Sequence, residues 1–169
     1  MRALLTGPAC LLILLSCAGL GACGAARLRQ RARLLAGAVT GVEALLRQVE
    51  FLAAPLPAAL SAAAEQAGAA AGLFAAAGRE LREGEGITGD EAWRAALIQS
   101  ETWGCEEALL AVSAGLGETG GPSQLRQLQV CRERLLREQR QAEEDYARFG
   151  RVWRSLGWCG GAVLILLLI

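Results

Sequence analysis

Residues 123–169 constrain the fold more than any other stretch of this chain. A charged amphipathic segment, SQLRQLQVCRERLLREQRQAEEDYARFGRVWRSLG, runs into WCGGAVLILLLI with only Gly as a breaker. A heptad can be followed through it. Leu125, Leu128, Leu135, Ala142, Tyr146, Phe149, Trp153 and Leu156 fall on its a and d positions, with Arg132 and Gln139 interrupting the seam. The spacing predicts one long helix with a packed face, and the interruptions argue against a free coiled-coil dimer. The tail is apolar all round, the pattern of a segment buried in a bilayer. Residues 155–169 alone are shorter than the ~20 needed to span it. Extending back through Val152 and Trp153, with Arg154 snorkelling, supplies the missing length.

The front of the chain has the same character. Residues 3–26 carry no charge, a run longer than the ~20 residues that cross a bilayer as a helix. Arg27, Arg29, Arg31 and Arg33 follow it, against Arg2 alone on the other side. This asymmetry puts residue 27 onward in the cytoplasm. At the far end Arg151 and Arg154 lie on the domain side of the tail, with Trp153 and Trp158 as interfacial anchors, and agree with that orientation. The sequence therefore divides into an N-terminal membrane anchor (1–26), a cytosolic helical bundle (27–151) and a C-terminal membrane helix (152–169). An alternative is a lipoprotein anchored through Cys23 with an extracytoplasmic helical domain, since Leu20, Gly21 and Ala22 before Cys23 have the form of a lipoprotein cleavage site. Against it stand a weak basic start and an apolar run longer than a signal peptide needs.

Between the ends the chain reads as all-α. Ala, Leu, Gly and Arg dominate and aromatic residues make up 5%, which favours helix over strand. With the flanking helices, about five or six bundle helices are expected. Leu35, Val39, Val42, Leu46 and Val49 form a helical stripe. Pro55 and Pro57 mark a break and a new helix start. Gly68 and Gly72 weaken an Ala-rich continuation that ends before Gly84. The clearest loop is EGEGITGD, where Thr88 and Glu91 make a capping box for the next helix. Trp93, Leu97 and Ile98 are assigned inward from it. Ala108, Leu109 and Val112 face inward from a further helix that stops at Gly115.

Most chemistry is excluded by composition. Every basic residue is Arg, and His and Lys are absent. That removes Ser/His and Cys/His nucleophiles, the usual metal clusters, Schiff-base lysines and the P-loop lysine. Charge balances at zero, without the basic field that nucleic acid requires. Of the six Cys, Cys10, Cys17, Cys23 and Cys159 lie in the apolar ends, leaving Cys105 and Cys131 between them without a CxxC; small-residue packing accounts for them. Gly115, Gly117 and Gly120 form a GxGxxG, but a dinucleotide site needs a preceding strand and CEEALLAVSA is helical in pattern. The glycines are assigned instead to a turn between helices. Gly37 and Gly41 form a GxxxG lying beyond the arginines. Glu143, Glu144 and Asp145 are helix neighbours that point in different directions, a solvated face rather than a catalytic pair. No enzyme activity, catalytic residue, cofactor or metal is expected, and no small-molecule substrate.

The assembled pattern resembles one family, stage III sporulation protein AB of endospore-forming bacteria. The matching residues are LGETGGPSQ from Leu116 and Gly117 to Ser123 and Gln124, AWRAAL at 92–97, residues 49–56 around Pro55 and Leu56, and RSLG at 154–157. Two positions depart from the family: Gly120 stands where an Asp is usual and Gln48 where a Glu is. The resemblance implies a helical bundle similar to the cytoplasmic domains of F-type platform proteins of type II secretion. It also implies work in the channel complex linking mother cell and forespore, at the mother-cell membrane, with other membrane subunits and a cytoplasmic secretion-type ATPase as partners.

Overall fold

A computed structural model of the chain describes residues 2–52, 54–84, 86–117 and 122–168, the side chains of most residues before 21 and after 150 lying outside the described ones. Among these residues there are six α-helices and no strand: α1 (Arg2–Leu52), α2 (Leu56–Gln66), α3 (Ala71–Glu83), α4 (Gly89–Gln99), α5 (Glu106–Leu116) and α6 (Pro122–Leu168). The all-α expectation holds. Two compact units are formed, 1–30 with 142–169, and 31–141. Helices α1 and α6 contribute to both.

Local chemistry explains the helix boundaries. Pro55 is extended (φ −60°, ψ 142°) and precedes α2; its carbonyl accepts from the Ala58 and Ala59 amides at 2.9 and 3.0 Å. Pro57 sits in the first turn, where a missing amide costs nothing. The Ala-rich continuation breaks at a single 3₁₀ turn, Gly68–Ala70, entered by Gly68 at φ 50°, a backbone state glycine adopts freely. At the head of α4 the capping box is present in full. The Glu91 amide donates to Thr88 Oγ1 (3.3 Å), and the Thr88 amide donates to Glu91 Oε2 (3.0 Å).

The unit 31–141 holds the larger core. Trp93 is fully buried, its ring edge-on to Phe74 of α3 with centroids 5.0 Å apart. Its indole N–H donates to the Leu109 carbonyl of α5 at 2.9 Å, so a large apolar body and its polar tip are both satisfied. Leu35, Leu45, Leu60, Leu128 and Leu135 are likewise fully buried, each contributing about 1.5–3 kcal/mol by leaving water. Leu46 and Val49, assigned to the α1 stripe, are only half-buried.

Helix α1 packs by backbone. A Cβ on Gly37 would collide with the Ala67 carbonyl and lie 2.8 Å from the Ala70 amide nitrogen. One on Gly41 would run into the Phe74 ring. Thr40 between them bridges the contact, its hydroxyl 2.9 Å from the Gly37 carbonyl and 3.1 Å from that of Gln66. The GxxxG thus serves close packing inside one chain.

In the unit formed by 1–30 and 142–169, Ala25, Ala142 and Gly150 are buried. The Tyr146 ring lies 3.2 Å from where a Gly150 Cβ would stand. Phe149, a heptad position, is 49% exposed instead. An α-helix drifts about 20° per heptad from a 3.5-residue repeat, so the inward face moves off the a/d seam along so long an element. Trp153 and Leu156 fall outside the described side chains. Among the described residues, no helix is long and apolar enough to cross a membrane. The apolar runs 3–26 and 155–169 lie mainly on side chains outside those residues.

Candidate functional site

Of the residues assigned to a membrane interface, Arg27, Arg29 and Arg33 are exposed on α1. Arg31 is half-buried: its guanidinium lies 3.7 Å from Glu138 of α6 and its Nε is buried without a hydrogen-bond partner. The side chains of Arg151, Trp153, Arg154 and Trp158 are outside the described residues. A second pair between the same helices joins Arg132 to Glu43 at 2.6 Å. Arg132, which interrupts the heptad, therefore has an acid opposite it, a pairing visible only once α1 and α6 are side by side.

The thiols lack the surroundings of a nucleophile. Cys105, at the N-cap of α5, is buried. Loss of solvent pushes its pKa up, and the charge and hydrogen bond of Arg31 pull in the opposite direction without prevailing. Cys131 is buried on α6 and donates to the Ala111 carbonyl at 2.8 Å; burial pushes it up as well. A raised thiol pKa leaves little thiolate at neutral pH, the reverse of activation. Among the described residues, no three His, Cys, Asp or Glu side chains are grouped to hold a metal ion. Glu143 and Glu144 are exposed and Asp145 is half-buried.

Of the GxGxxG glycines, the first lies inside a helix rather than in a turn. Gly115 is buried inside α5, with Leu128 Cδ2 of α6 2.7 Å from where its Cβ would be. Gly117 closes the helix in ordinary right-handed geometry (φ −78°, ψ −20°), and Gly120 lies outside the described residues. At Gly115, then, the requirement is close approach of helices, which the spacing of glycines alone does not reveal.

Among the described residues, α4 and α5 present an exposed apolar side chain beside a groove. Ile98, assigned inward from the sequence, is 87% exposed. Trp93 and Leu97 stand four residues apart on the buried face, and Ile98 is rotated a further 100° away from it. It lines a groove of about 400 Å³ with Leu97, Leu110, Arg94, Ser100 and Glu106. Arg94 is paired with Asp90 at 3.0 Å. Glu106 accepts from the Thr102 hydroxyl at 2.9 Å. The turn joining the two helices passes through Trp103 and Gly104, both at positive φ (51° and 80°).

The sequence pattern of one family, stage III sporulation protein AB, matches residues 8–169. The chain belongs to that family. No curated protein and no solved structure matches it. Of the family-like stretches, 92–97 contributes Ala92, Trp93, Ala96 and Leu97 to the core, and 49–56 spans the junction of α1 and α2. Of its two departures, Gln48 is half-buried near the end of α1, and Gly120 lies outside the described residues.

Proposed function

We propose that this stage III sporulation protein is a non-enzymatic assembly subunit. It serves as a membrane platform of the channel complex between mother cell and forespore and docks a cytoplasmic secretion-type ATPase. The observation carrying this reading is the family match across residues 8–169. The resemblance of that family to F-type platform proteins supplies the platform role and the ATPase. The platform sits in the mother-cell membrane facing the forespore, held by residues 1–26 and 152–169, and the bundle from 27 to 151 is cytoplasmic. Support for the anchors comes from the uncharged run 3–26, the arginines that follow it, and the apolar end of the chain. The partners are other membrane proteins of the complex, the ATPase and lipid. With no His or Lys and two buried thiols, the surface rather than a reaction centre carries the activity.

Deleting the gene is expected to block spore formation; normal spore yield from the deletion strain would refute the role. Topology needs its own probe, because buried Cys105 and Cys131 react slowly on either side of a membrane. Arg79 is exposed on α3. In an Arg79→Cys variant, an impermeant maleimide is expected to label that thiol only after the cells are opened. Labelling in intact cells would instead favour the lipoprotein anchored through Cys23.

A further inference from the structure

The groove between α4 and α5 combines two features that identify what fits it. Its apolar part is unusually bare: Ile98 is 87% exposed and Leu110 42% exposed, beside Leu97 at the base. Isolated exposed apolar residues are ordinary, but a cluster around a concavity marks a contact surface. The rim is acidic. Residues 89–117 contain Asp90, Glu91, Glu101, Glu106 and Glu107 against Arg94, and Glu107 is paired with Arg134 of α6 at 2.8 Å. Arg94 is already neutralised by Asp90. Glu106 has a hydroxyl rather than a cation beside it, and Glu101 is exposed. The field around the apolar patch is therefore negative.

We infer that this groove docks a basic amphipathic helix of a partner protein, which inserts one or two apolar side chains against Ile98 and Leu110 and sets Arg or Lys against Glu101 and Glu106. Recognition of this kind is helix-in-groove docking with complementary charge. The same charge argues against the rival occupants. A second copy of the chain would bring an identical acidic rim, an anionic lipid surface would be repelled, and so would nucleic acid. The inference rests on the assembly-subunit reading only in requiring a partner.

The test uses the full chain in uncharged detergent micelles and two synthetic amphipathic helices with the same Leu positions, one carrying Arg on its polar face and the other Glu. The Arg peptide is expected to bind at least about tenfold more tightly than the Glu peptide, with an affinity that falls as salt rises. Ile98→Ser is expected to weaken it by about tenfold, and Glu101→Arg to weaken it and flatten the salt dependence. Val130→Ser, at a 57% exposed position on α6, serves as the control and is expected to leave binding unchanged. Equal affinity for the two peptides, an Ile98→Ser protein that binds as before, or self-association that depends on Ile98 would each overturn the proposal. Spore yield separates the two levels. If the deletion strain fails to sporulate while a strain carrying Ile98→Ser sporulates normally, the groove assignment falls and the assembly role stands.

Discussion

Within the unit 31–141, the contact of α1 with α2 and α3 and the surface of α4 with α5 solve opposite problems. At the first, Gly37 and Gly41 bring backbones so close that the carbonyl of Ala67 and the ring of Phe74 occupy the space a Cβ would need. Nothing is left over for a ligand or a partner. At the second, a large side chain, Trp93, fills the core from inside, while Ile98 one turn on is left in solvent above a groove. The contrast teaches where to look for a contact surface: the small-residue seam maintains shape, and the apolar groove beside exposed Glu101 and Glu106 is open to a partner.

The largest effect should come from removing the anchor both regions share. Trp93→Ala deletes the edge contact with Phe74 and leaves the Leu109 carbonyl without its indole donor. A loss of about 3–5 kcal/mol is expected by chemical denaturation in micelles. If the variant unfolds at the same denaturant concentration as the parent, the core has been misplaced.

Next comes a test of sign. Alanine normally stabilises an exposed helix position relative to glycine by about 1 kcal/mol. At Gly37 the added methyl meets the Ala67 carbonyl, so Gly37→Ala is expected to destabilise by about 1–3 kcal/mol. At Gly72, in α3, nothing lies within 4 Å of the new atom, and Gly72→Ala is expected to stabilise by about 0.5 kcal/mol. Thermal melts moving in the same direction for both variants would break the contrast between a packed seam and an open surface.

These features differ in how far the sequence announces them. Thr88 with Glu91, Pro55 with Pro57, and the long run of α6 are local signals, because their partners lie within a few residues. They could be read directly. The roles of Gly37, Gly115 and Arg31 depend on Ala67, Leu128 and Glu138, which are remote in sequence and brought near only by folding. Ile98 faces outward, against the sequence pattern, because Leu97 and Ile98 are adjacent apolar residues and a helix can turn only one of them fully inward. Phe149 leaves the heptad seam because an α-helix has a longer period than a 3.5-residue repeat. The α4–α5 groove had no sequence signature of its own, since a concave surface is a property of two helices together.

Smaller effects concern charge. Burial pushes the pKa of both thiols above the ordinary range of a free cysteine. In the folded state they hold their protons to higher pH than in the unfolded chain. Their contribution to stability is fully present below about pH 8 and is lost as pH rises from 9 through the folded-state values. The midpoint of denaturation should fall on that alkaline side, and the fall should shrink in Cys105→Ala; an unchanged profile would place this thiol in water. The Arg132–Glu43 pair is part-exposed, at 40% and 31% of the side chains, and Arg132→Ala is expected to cost only about 1 kcal/mol. At the bottom of the scale, Ile98→Ser should change stability by less than about 0.5 kcal/mol despite its expected effect on binding. A large loss there would mean that Ile98 supports the fold.

The central claim is that this stage III sporulation protein works by holding partners. Affinity purification of the tagged full chain from sporulating cells, with bound proteins identified by mass spectrometry, tests it most directly. The account predicts that a secretion-type ATPase is recovered with the tagged chain and is absent from an untagged control; recovery of the chain from actively sporulating cells without that ATPase would contradict it.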